Sequence, residues 1–242
     1  MRSPRARWGD SPRPRFDWIR AGGLGIILAL GGCGAPPCPA DMVHVPPGTY
    51  RLGGAPDRDG ASHPLPPSST NLPGFCIDRF EAPNRAGADS TVDVRWSDAA
   101  EACRLRGARL CGEEEWEAAC RGPDDRLWSY GDQEEPGRCA SAQEGLDPDA
   151  ARPQTGVLEG CRNALGVHDL IGGASEWTST RVPCPPSPQG TARPGEDCYV
   201  LRGGTLWTAA YGDSCLSRHW HGPAYAQSDD GFRCCSDSGG RR

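Results

Sequence analysis

Cysteine constrains this chain more than any other residue type. Thirteen of its 242 residues are Cys, a density unusual for a reduced cytosolic protein and ordinary for one exported to an oxidising compartment. Cys33 stands apart at the end of an apolar run, and the remaining twelve are an even number, as a disulfide framework requires. No two cysteines have Cys-x-x-Cys spacing, and Cys234 and Cys235 are adjacent, which argues against a zinc site. Some pairs are suggested locally. Cys184 and Cys198 bracket a Pro- and Gly-rich insertion, PPSPQGTARPGED, and Cys139 and Cys161 flank the loop 140–160.

Ahead of Cys33, residues 1–20 are polar with six Arg and two Asp, and residues 21–32 form a short apolar run that closes Leu30-Gly31-Gly32-Cys33. A basic region, an apolar core too short to span a bilayer, and small residues before a Cys have the form of a bacterial lipoprotein signal. The expected organisation is a signal peptide at 1–32, a lipidated Pro-rich tether at 33–41 with the acyl chains on Cys33, a folded domain at 42–237 and a tail at 238–242. The protein is then exported and held on the membrane by its lipid, in the periplasm or at the cell surface. Without residues 1–32 the chain carries 20 basic and 30 acidic residues, a formal charge of −10. That balance speaks against binding nucleic acid by charge.

Regular structure is expected to be sparse, because Gly and Pro number 33 and 24. Ser97 can cap a helix over 98–106 that stops at Gly107. A second helix is predicted over 113–121, its three leading Glu favourable at the positive end of the helix dipole and Gly122-Pro123 ending it. Trp116 and Cys120 fall on one face of it, four residues apart. Short strands are predicted at 42–45, 75–80, 198–202 and 231–235, and residues 57–73 read as a polar surface loop. If His219-Trp220-His221 is a strand, both imidazoles face one side and can meet one metal ion, although no third ligand adjoins them.

Three strings near the C-terminus hold the most functional information: residues 163–178 (NALGVHDLIGGASEWT), 200–205 (VLRGGT) and 229–234 (DDGFRC). Each is a glycine-punctuated turn leading to or from a charged side chain, namely Glu176, Arg202 and Arg233. Together with MVHVPPG (42–48), FCIDRFEAPN (75–84) and the stretch 94–120 (VRWSDAAEACRLRGARLCGEEEWEAAC), they resemble the formylglycine-generating enzyme, or sulfatase-modifying factor, family. The resemblance covers about 42–235. It implies a compact, irregular α+β fold related to C-type lectins, with little regular secondary structure and many disulfides.

The resemblance also implies site residues. Active members hold Cu(I) with two thiolates after Arg-Gly-Gly and oxidise a cysteine in a Cys-x-Pro-x-Arg sequence to formylglycine. Counting from Gly203-Gly204, those two positions hold Thr208 and Asp213, and neither residue replaces a thiolate toward Cu(I). Copper is therefore not expected, and no catalytic residue is assigned. A family calcium site maps onto Ile171, Gly172, Ala174 and Glu176, with Gly173 where an Asn is usual; a Glu176 ion pair with an Arg such as Arg202 is the alternative. The family pairs the helix cysteine with that of Gly-Phe-Arg-Cys, here Cys120 with Cys234, and Cys111 with Cys235 could run parallel to it. The expected role is a domain that binds a ligand or a protein partner. The alternatives are a formylglycine-generating oxidase and a structural envelope protein.

Overall fold

The computed structural model describes residues 38–54, 64–141, 151–184, 195–206 and 214–239. Cys33, Thr208 and Asp213 lie outside the described residues.

Three sheets and two helices form among them. The first sheet has the order β1 (Met42–Val45), β4 (Phe75–Asp78), β10 (Cys234–Asp237), β5 (Arg109–Leu110), all antiparallel, so it joins the start of the domain to its end. β4 is buried at all four positions. A two-stranded ribbon of β2 (Gly48–Leu52) and β3 (Ser68–Leu72) stands beside it. The third sheet has the order β8 (Arg218–His221), β7 (Asp197–Arg202), β6 (Ser175–Pro183), β9 (Asp230–Phe232), with only β6 and β9 parallel.

The helices are α1 (Trp96–Leu105) and α2 (Glu113–Arg121). α2 has the predicted bounds, and Gly122 ends it at φ 65°. Glu115 reaches back to accept the Gly112 backbone N–H at 2.8 Å, satisfying one donor of the first turn. Trp116 and Cys120 do share a buried face. α1 starts two residues earlier than predicted and Ser97 does not cap it. Arg95 is the N-cap residue, with no side-chain cap, and its carbonyl accepts from Asp98 and Ala99. Trp96 fixes this entry: its indole stacks on Tyr199 at 3.8 Å and donates to the Thr178 carbonyl at 2.9 Å.

Two further expectations are corrected. The strand predicted at 231–235 is two strands in different sheets, β9 and β10, broken at Arg233. Arg233 is fully buried, and the break lets its side chain turn inward to the ion pair described below. Part of the loop predicted at 57–73 is the exposed strand β3; residues 55–63 lie outside the described residues.

All twelve cysteines after Cys33 are paired. The bridges Cys111–Cys235, Cys139–Cys161 and Cys184–Cys198 are as expected. Cys120 and Cys234 are not partners: Cys120 bonds Cys215 and Cys234 bonds Cys103. The reason is the alternation of β10, where adjacent residues face opposite sides of the sheet. Cys234 therefore turns to α1, in a core cluster with Ala99, Trp177, Leu201 and Phe232, while Cys235 joins Cys111, Trp116 and Cys120 in the other. The sixth bridge, Cys38–Cys76, fastens a residue expected in the tether to β4. Bridges of this kind typically contribute about 2–5 kcal/mol each in small exported domains.

Candidate functional site

The three glycine-punctuated strings converge on one buried polar framework. Glu176, in β6, is 1% exposed and Arg233 is 0% exposed. Arg233 donates through Nε to Glu176 Oε2 and through Nη2 to Oε1, both at 2.6 Å. Trp116 Nε1 donates to Oε2 at 2.6 Å as well. The remaining guanidinium donors go to the carbonyls of Asp78, His168 and Asp169 at 3.0–3.2 Å. Arg202, also fully buried, pairs instead with Glu117 at 2.7 Å, donates to the Cys215 carbonyl at 2.7 Å and lies 5.4 Å from the Trp116 ring centre. Removing one partner from such a buried pair typically costs about 3–5 kcal/mol, because the other charge is left uncompensated.

This arrangement does not fit the calcium reading of Ile171, Gly172, Ala174 and Glu176. A hard cation wants carboxylate and carbonyl oxygens free to point at it, but both Glu176 oxygens face N–H donors, one of them a guanidinium. The loop itself serves packing. Gly172 has φ 71°, and a Cβ there would lie 2.2 Å from the Ala140 carbonyl oxygen. Gly173, in place of the usual Asn, has φ 67° and would meet Glu81 at 2.7 Å. A side chain at Gly172 would overlap backbone, whereas one at Gly173 would have to displace the Glu81 carboxyl.

Glu81 sits against this framework. It accepts the Ala174 N–H at 2.9 Å and the hydroxyl of Ser90. Burial pushes its carboxyl up to about 7, with the charges of Glu176 and Asp169 adding to the shift. Asp169 is raised to about 6, again chiefly by burial.

The segment after Gly203-Gly204 that carries Thr208 and Asp213 lies at 207–213, outside the described residues. The sulfur around it is described. Cys215, the first cysteine after Arg202-Gly203-Gly204, is buried and bonded to Cys120.

His219 and His221 are on one strand, β8, and both are 4% exposed. The third group that the sequence did not reveal is Asp230, the first residue of β9 and 1% exposed. One ligand atom from each of the three lies within 4.8 Å of the others. Burial raises Asp230 to about 8, with Asp229 contributing, and lowers His221 to about 4. Adjacency in sequence could not find Asp230; only the turn from β8 to β9 brings it there.

A surface cleft of about 450 Å³ opens elsewhere, lined by Arg126, Arg138, Arg162, Ser129, Glu159 and Asn163 among others. Two of its arginines have ion-pair partners: Arg126 has Asp124 at 3.0 Å, and Arg138 has Glu135 at 2.7 Å and the Gly160 carbonyl at 3.0 Å. The start of the string 163–178, Asn163 to Gly166, lines one side of this cleft.

Residues 83–238 match the sulfatase-modifying factor enzyme 1-like domain family. The chain is 33% identical over 168 residues to inactive C-alpha-formylglycine-generating enzyme 2 of Mus musculus, covering 61% of this chain and 49% of the relative. It is 32% identical over 177 residues to the formylglycine-generating enzyme of Bos taurus, covering 62% and 47%, and 33% identical over 182 residues to that of Mycobacterium tuberculosis (strain ATCC 25618 / H37Rv), covering 64% and 59%. The chain spans about half the length of the curated relatives it matches. Among solved structures, PvdO from Pseudomonas aeruginosa is similar with a TM-score of 0.63 at 17% identity, over 84% of this chain and 99% of that one. CarF is similar with a TM-score of 0.57 at 20% identity, over 82% and 98%. Identities this low establish the fold alone. The related sequences include ones named formylglycine-generating enzyme and ones named inactive, so similarity to them does not decide the chemistry.

Proposed function

This chain belongs to the sulfatase-modifying factor family, and within it we propose that it is a binding domain without cysteine-oxidase activity, exported and lipid-anchored through Cys33. The observation that carries the reading is the state of the sulfur. Every cysteine after Cys33 is in a disulfide, Cys215 included, and the two positions where active members present thiolates hold Thr208 and Asp213. Cu(I) prefers soft thiolate ligands, and a disulfide sulfur is not one. The binding role is supported by the arginine-lined cleft, whose volume of about 450 Å³ is within the range of small-molecule sites, roughly 300–1,000 Å³.

Titration of the purified, unreduced protein with Cu(I) tests the first part. No thiolate-to-Cu(I) absorbance should develop, whereas a band saturating at one equivalent overturns the reading. The anchor is tested separately. The Cys33→Ser variant should leave the membrane fraction and stay soluble after export; unchanged partition into detergent contradicts lipidation.

A further inference from the structure

We infer that His219, His221 and Asp230 form a binding site for one divalent first-row transition ion, with Zn²⁺ as the test case and solvent completing its shell. The inference stands apart from the binding role proposed above, since it involves neither the cleft nor the segment after Gly203-Gly204.

Geometry comes first. The three ligand atoms already lie within 4.8 Å of one another with no ion among them. Around a tetrahedral zinc with bonds near 2.0–2.1 Å, neighbouring ligand atoms are about 3.3 Å apart. The widest pair therefore needs to close by about 1.5 Å at most, which is within the reach of side-chain rotation. The backbones that carry these groups are fixed. His219 pairs with Leu201 and His221 with Tyr199 across β8 and β7, and Asp230 pairs with Ser175 in β6. A site built on paired strands holds its ligands more accurately than one built on loops.

The donor set is selective. Two imidazoles and one carboxylate suit zinc, iron, nickel or copper and are poor for calcium or magnesium, which want oxygen alone. The surroundings favour a cation: Asp229 and Asp93 both add negative charge at Asp230, inside a region where all three ligands are nearly inaccessible to water. Asp230 Oδ2 has no hydrogen-bond partner among the described residues. A buried carboxylate oxygen left this way is costly, and coordination removes the cost.

The test uses the full chain with its disulfides intact, stripped by a chelator and then titrated near neutral pH. Co²⁺ binding is read from its visible ligand-field bands and Zn²⁺ binding from competition with a chromophoric chelator. One equivalent should bind. Loss of an outer-shell partner alone typically weakens a metal site roughly 10–100-fold. His219→Gln and Asp230→Asn, each of which removes a ligand, should weaken binding at least as much. Asp230→Asn preserves the size and shape of the side chain, so its metal-free melting temperature should not fall. A cluster held together only by hydrogen bonds predicts no stoichiometric ion in the unsubstituted protein, and that result overturns the inference whatever the variants do. Unchanged affinity in both variants overturns it too, by placing the ion elsewhere.

Discussion

Glu81 shows what burial does to single side chains in this molecule. Its carboxyl titrates near 7 in the folded state against 4.5 in the open. Between those values the folded state holds a proton that the unfolded chain has released, so stability falls as pH rises through this window. Asp230, raised from 3.8 to about 8, extends the same trend upward. His221 acts oppositely, but only between about 4 and its unfolded value of 6.5, and Asp169 acts only below about 6. From pH 6.5 to 8 the two carboxyls outweigh the opposing remainder from His221 and from His168, whose pKa burial also lowers. With a chelator present, the denaturant midpoint should therefore be higher at pH 6.5 than at pH 8, and Glu81→Gln should shrink the difference. A midpoint that rises over this range, or a slope that Glu81→Gln leaves unchanged, contradicts the assignment.

Among the elements, legibility followed local chemistry. α2 could be read because its signals are contiguous: three Glu to begin, apolar residues at helical spacing, and Gly122-Pro123 to end. α1 was displaced because Trp96, reaching Tyr199 and Thr178 far along the chain, outweighed a local Ser97 cap. β2 and β3 carry little apolar patterning, and their exposure gave the sequence no signal. The segment 229–235 was recognisable as a motif but not as a crossing between sheets, which depends on Arg233 reaching Glu176. The cysteines divide the same way. Cys139–Cys161 and Cys184–Cys198 close loops of 22 and 14 residues' separation and follow from proximity. Cys103–Cys234 spans 131 residues and follows only from the alternation that sends Cys234 and Cys235 to opposite faces. That signal was present in the adjacent pair itself, because a strand sends neighbouring residues to opposite faces while Cys111 and Cys120 lie in one cluster.

At the scale of the whole molecule, six disulfides and a charged buried framework hold a fold with two helices among the described residues. The residues that the family resemblance marked, Glu176, Arg202 and Arg233, are buried in this framework and organise the scaffold. The proposed absence of oxidase activity rests on the sulfur, since all twelve cysteines after Cys33 are in cross-links. Given Cu(I), oxygen and a peptide containing Cys-x-Pro-x-Arg, the unreduced protein should yield no aldehyde-bearing product by mass spectrometry above the copper-only background; turnover of that peptide would contradict the account.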